Sequence, residues 1–123
     1  MKVFKNIEKV NFVDENDVFV GYDLSQDCCE YADYFFSDHK PEKIEDSIVI
    51  KEEDWVFDPD FFERIDGDGA GDLQDGGMVT FRLSHKEDEK KKLYLSLFNV
   101  HNGYYAHGFE VKIDGEKVIS GAI

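Results

Sequence analysis

A chain of 123 residues with 41% hydrophobic and 15% aromatic side chains has material for one core, which argues against disorder or a disulfide-dependent miniature fold. Its formal net charge of −14 repels phosphate groups and argues against direct nucleic-acid binding. No apolar run approaches the ~18 residues of a membrane span and MKVFKNIEKVNFV lacks the apolar stretch of a secretory signal, so one cytoplasmic domain over residues 1–123 without membrane contact is expected.

In chain order, KVNFVD (9–14) and VFVGYDL (18–24) are β-rich runs joined by a short polar connection, which reads as a hairpin. Next comes SQDCCE, with Cys28 and Cys29 adjacent, and then YADYFFSD, whose apolar spacing fits a strand or a single amphipathic turn. Neighbouring cysteines cannot pair with each other without a strained ring, so reduced thiols are expected, one inward and one outward on a strand. His101 and His107 are the other candidate zinc ligands, but the spacing offers no matching ligand interval. IEDSIVI (44–50) reads as a strand beginning after Pro41. In DPDFFERI, Asp58 can cap, Pro59 suits a first helical position, and Phe61, Phe62 and Ile65 share a helical face. That combination predicts one short helix near residues 58–65.

The loop IDGDGAGDLQDGG (65–77) raises the question of calcium. Asp66, Asp68 and Gly71 match the first, third and sixth positions of an EF-hand loop, but Ala70 and Gly77 stand where the fifth and twelfth need ligands. What remains is an irregular oxygen site of Asp66, Asp68 and Asp72, with calcium as the candidate ion, or a polar loop. Beyond it, MVTFRLS (78–84) and KLYLSLFNV (92–100) alternate apolar and polar residues as strands do. GFEVKID and EKVISGAI flank Asp114-Gly115, the preferred dipeptide of a tight hairpin turn. The expected fold is mainly β (α+β): an antiparallel meander or curled sheet with an aromatic core and that one short helix.

Catalytic patterns are thin. Ser37-Asp38-His39 has the residue types of a triad, but consecutive side chains cannot converge as nucleophile, base and orienter. Asp27 and Glu30 disfavour a thiolate at Cys29, and no phosphate-binding glycine loop is present. No catalytic residue is assigned, and a non-enzymatic role is expected.

Two short motifs carry a resemblance. DCCE (Asp27–Glu30) paired with NGYY (Asn102–Tyr105) resembles a family of small uncharacterised bacterial and phage proteins. Those proteins place a Cys-Cys-Glu motif after an N-terminal β-hairpin and an Asn-Gly-Tyr-Tyr motif between late strands. The resemblance implies a strand-rich fold and a link to mobile elements, and it brings no activity with it. Cys28, Cys29, Glu30, Asn102, Gly103, Tyr104 and Tyr105 form the motif cluster. Asn102-Gly103 suits a tight turn, and the two tyrosines suit re-entry into a strand, so structural use of the cluster is the ordinary explanation.

The acidity is regional. Residues 14–75 hold 21 Asp/Glu against four Lys/Arg, leaving 7 acidic against 10 basic residues elsewhere. Such a field attracts a basic protein, as an inhibitor or immunity-type protein would meet a nucleic-acid-processing target. Glu52, Glu53 and Asp54, with Trp55 and Phe57 as exposed aromatic anchors, are the candidate partner-binding residues. The alternative is a small ligand- or metal-binding domain. Free strand edges leave monomer and homodimer both open.

Overall fold

The computed structural model describes residues 1–25, 31–66, 77–100 and 107–123. Nine strands form two antiparallel sheets among these residues: β1 (Lys2–Lys5), β2 (Lys9–Val13), β3 (Val18–Asp23), β4 (Tyr31–Ser37), β5 (Trp55–Asp66), β6 (Gly77–His85), β7 (Lys92–Val100), β8 (Gly108–Ile113) and β9 (Glu116–Ala122). Sheet A runs β1-β2-β3-β8-β9 and sheet B runs β4-β7-β6-β5. The mainly β, antiparallel expectation holds. No described helix is long and apolar enough to cross a membrane.

Period-2 alternation creates the core. Val10 and Phe12 of β2 and Val20 and Tyr22 of β3 face Val79, Phe81 and Leu83 of β6 and Leu95 and Leu97 of β7, all buried. Aromatic edges lock this packing: Phe12 meets Tyr34 edge-on at 5.1 Å, and Phe57 meets Phe81 at 6.1 Å. Asp114 and Gly115 both take positive φ, 53° and 81°, as the expected tight turn between β8 and β9 requires. Among the described residues, cations lace both open flanks of the sandwich. Lys5 of β1 reaches Asp33 of β4 at 3.4 Å, and Arg64 of β5 donates to the Ala122 carbonyl of β9 at 2.7 Å.

Two elements differ from expectation. Residues 58–65 are not a helix but part of β5. Between Phe57, opposite Leu83, and Phe62, opposite Phe81, β5 carries four residues where β6 has Arg82 alone. Pro59, which has no N–H for a ladder, lies in this bulge on an edge strand. The capping signal of Asp58 is used all the same: Oδ1 accepts from the Asp60 amide at 3.2 Å, and Oδ2 accepts from Arg82 Nε at 2.9 Å. Arg82 also lies over the Phe61 ring, 5.0 Å from its centre.

Burial would raise the Asp58 pKa, but the Arg82 hydrogen bond, the Asp60 amide and the Arg82 charge outweigh it and hold the carboxyl below its ordinary value. A depressed carboxyl stabilises the fold above its unfolded pKa and loses that contribution as pH falls through the folded value. Asp58→Asn should therefore cost about 1–2 kcal/mol at pH 7. In paired thermal melts from pH 7 down to pH 2.5, the gap between wild type and variant should close at the acid end. A gap independent of pH would sink the assignment.

The second correction is residues 44–50, expected as a strand. They belong to a strap, residues 38–50, that runs along the β4 edge and over the outer face of sheet B. The Ile48 amide donates to the Phe36 carbonyl at 3.0 Å, but the Phe36 amide donates to the Ser47 hydroxyl at 3.1 Å. A side chain stands where a ladder needs a carbonyl, so pairing stops after one bond.

Candidate functional site

The strand register sorts the connections to two ends of the sandwich. At one end lie the β2–β3 turn (14–17), the 3-10 turn Glu52–Asp54, the β6–β7 turn (86–91) and the β8–β9 turn (114–115). The pairs Val18↔Ile113, Ile113↔Glu116, Trp55↔His85 and Ser84↔Lys92 place them together. Exposed carboxylates crowd this end: Glu15 and Asp17, Glu53, Glu87 and Glu89, and Asp114 and Glu116. They come from three turns of the two sheets, the 3-10 turn and the first residue of β9, and the exposed lysines Lys2, Lys51, Lys86, Lys90 and Lys91 lie at the same end.

The turns are tied to one another. Asp14, 5% exposed, accepts the Asn16 amide at 2.9 Å and the Val18 amide at 3.0 Å through Oδ1, and the Phe57 amide at 2.8 Å through Oδ2. One carboxylate thus closes the β2–β3 turn and binds it to β5 of the other sheet. Asp17, with φ of 59°, accepts the Asp114 amide at 3.1 Å, joining the turns of both sheet A hairpins. The Lys86 amide donates to the Asp54 carbonyl at 2.9 Å, and its ammonium lies 3.2 Å from Glu15. The Met1 amine donates to the Glu52 and Trp55 carbonyls, each at 2.7 Å. Burial and the Lys86 charge hold that amine below its ordinary pKa, against the opposing pull of Asp14, Glu15 and Glu53. Met1, Lys2, Asp14, Glu15, Glu53 and Lys86 border an open cleft of about 350 Å³ at this end.

This arrangement redraws the partner-binding set. Glu53 is exposed, whereas Glu52 and Asp54 are half-buried and lend their carbonyls to the framework. Phe57 is no exposed anchor: at 3% exposure it belongs to the core against Phe81. It is inward because period-2 alternation in β5 sets it on the face shared with Phe81 and Leu83. Trp55 is half-buried, packed against the core, and meets the His85 ring edge-on at 5.1 Å. Sequence reasoning held Glu15 and Asp17 only as part of the acidic region 14–75 and Asp114 only as a turn residue, and did not group them. Their only signal was their position in turns, since nothing local says which turns share an end.

At the opposite end, Tyr31↔Val100, Asp66↔Gly77 and Gly108↔Ala122 terminate the strands. Here two polar contacts join the sheets and a third closes the end of sheet A between β3 and the residue before β8. The Tyr22 hydroxyl donates to the Phe98 carbonyl at 2.8 Å, Asn99 Nδ2 donates to the Ile123 carbonyl at 2.9 Å, and His107 Nδ1 lies 2.8 Å from the Asp23 carbonyl. His107, weighed above as a zinc ligand, is 2% exposed and packs beside Tyr22.

The motif residues Cys28, Cys29, Glu30, Asn102, Gly103, Tyr104 and Tyr105, and the calcium candidates Asp68 and Asp72, lie outside the described residues. Asp66 ends β5, and its side chain also lies outside the description. Among the described residues no three His, Cys, Asp or Glu side chains gather to hold a metal. Ser37 and His39 do not form a catalytic pair: the Ser37 hydroxyl donates to the His39 carbonyl at 2.7 Å and closes a turn. Compared with known proteins, the chain matches no family model, no curated protein and no solved structure.

Proposed function

We propose that this chain is an acidic interaction protein that docks its turn-rich end against a basic protein surface, in the manner of an inhibitor or immunity-type protein covering a nucleic-acid-processing target. The observation that carries the reading is the exposed group Glu15, Asp17, Glu53 and Asp114, carried on turns whose backbones are tied to one another by the Asp14 carboxylate and by main-chain hydrogen bonds. Turns whose backbones are already tied together lose little conformational freedom when a partner's lysines and arginines meet their carboxylates. Their summed field also steers encounter, so the effect falls first on the association rate. The surface pair Lys86–Glu15 contributes little to the fold and leaves Glu15 free to exchange partners.

Stopped-flow binding to a basic partner recovered at low salt tests this. The association rate should fall about tenfold or more between roughly 20 mM and 200 mM salt, with a smaller change in dissociation. An association rate indifferent to salt would rule out electrostatic docking.

A further inference from the structure

The strap over sheet B has two arms joined by a single histidine, His39. Beneath it lie Phe35, Met78 and Phe98, each 3% exposed or less, forming a second apolar cluster on the outer face, with Ile44 of the strap packed against them. Beside them Thr80 and Ser96 are buried and share a hydrogen bond of 3.0 Å. The strap is fastened to the sheet by Lys40, paired with Glu63 of β5, and by the Ile48 amide on the Phe36 carbonyl. Its two arms are joined to each other at His39, whose Nε2 lies 2.8 Å from Glu45, while Nδ1 lies 2.9 Å from the neighbouring Asp38 of the same arm.

That geometry sets a chemical requirement. An ionised carboxylate only accepts hydrogen bonds, and a neutral imidazole has one N–H to donate. Both contacts exist together only when the ring carries two protons. Loss of one proton leaves a lone pair facing one carboxylate and removes the positive charge, so the contact to Glu45 is either lost or deprived of its charge assistance.

We propose that His39 is a proton-operated clasp: as an imidazolium it ties its own arm to Glu45 and helps hold the strap down over Phe35, Met78 and Phe98, and as a neutral ring it grips Glu45 less strongly and lets the strap loosen. Asp38 and Glu45 are the charged groups that act on the ring. Lys40 beside it is directed to Glu63, and Asp33 of β4 is engaged by Lys5. The hydrogen bonds that the ring donates to Asp38 and Glu45, opposed by desolvation and aided by the two carboxylate charges, raise the His39 pKa above its ordinary 6.5. A group whose folded pKa is raised stabilises the closed form below its unfolded value and loses that contribution as pH rises through the folded one. The strap is therefore closed below about pH 6.5 and loosens at pH values above the raised one.

The test follows the Ile48 amide by hydrogen exchange, corrected for the intrinsic pH dependence, alongside the NMR titration of the His39 ring. From pH 6 to pH 9, Ile48 protection should fall about two- to fivefold, with the midpoint of the ring titration. Leu95, in the middle of sheet B, serves as the reference and should keep its protection. Glu45→Gln should remove the pH dependence, because a glutamine amide can accept from one ring form and donate to the other. Ile48 protection that is constant through the ring titration, absent at every pH, or equally pH-dependent in Glu45→Gln would overturn the proposal.

Discussion

Replacing Asp14 with alanine should lower the melting temperature by about 10–15 °C, corresponding to a loss of about 3–4 kcal/mol in a domain of this size. The cost does not come from lost packing, because an aspartate contributes little apolar area. It comes from three backbone donors, on Asn16, Val18 and Phe57, that the carboxylate satisfies together. Val18 and Phe57 are buried, so their amides have no water to turn to when the acceptor is gone. Asp14→Asn separates the contributions. Its carbonyl oxygen can still serve Asn16 and Val18, but its amide would face the Phe57 N–H, so a loss of about half that size is expected. Thermal and urea unfolding of the three proteins provide the comparison. Equal stabilities would mean that Asp14 does not hold the two sheets together.

Tyr22→Ala should be comparably damaging, at about 3–5 kcal/mol, because a fully buried ring leaves a cavity between the sheets. Tyr22→Phe keeps the ring and removes only the hydroxyl that donates to the Phe98 carbonyl from the opposite sheet. About 1–2 kcal/mol is expected for that change. The ratio of the two losses divides packing from hydrogen bonding at this end of the sandwich. Urea midpoints at constant slope would measure it, and a Phe variant as stable as wild type would remove the Tyr22–Phe98 bond from the explanation of how the sheets register.

Strands with one buried face were legible because their alternation is a local property. The β2–β3 hairpin, β6, β7 and the β8–β9 hairpin lie where period-2 runs and the Asp114-Gly115 turn put them. Asp58-Pro59 misled because an aspartate acceptor followed by a residue without an N–H serves a helix start and an edge-strand bulge equally well. Residues 44–50 misled because Ile44, Ile48 and Ile50 have the composition of a strand, whereas Ser47 supplies a hydroxyl where the neighbouring strand needs a carbonyl. The composition of the acidic region was legible, but its geometry was not. Asp17 and Asp114 are far apart in the chain and meet only because β3 pairs with β8, a long-range choice that no local pattern encodes. Phe57 illustrates the same limit, since a ring next to acidic residues looks exposed until the register of β5 turns it inward.

The docking claim is tested most directly by reversing charge at two places and comparing what each loses. Glu15→Lys combined with Glu53→Lys alters the turn-rich end, and Glu42→Lys combined with Asp46→Lys makes the same change in net charge on exposed residues of the strap. Immobilised wild type and both variants would be offered the same native-host lysate at low salt, and retained basic proteins quantified by mass spectrometry. The expected result is a specific basic partner held by wild type and by the strap variant but lost by the Glu15/Glu53 variant. Equal loss from both variants, or equal retention by both, would contradict docking through the turn-rich end.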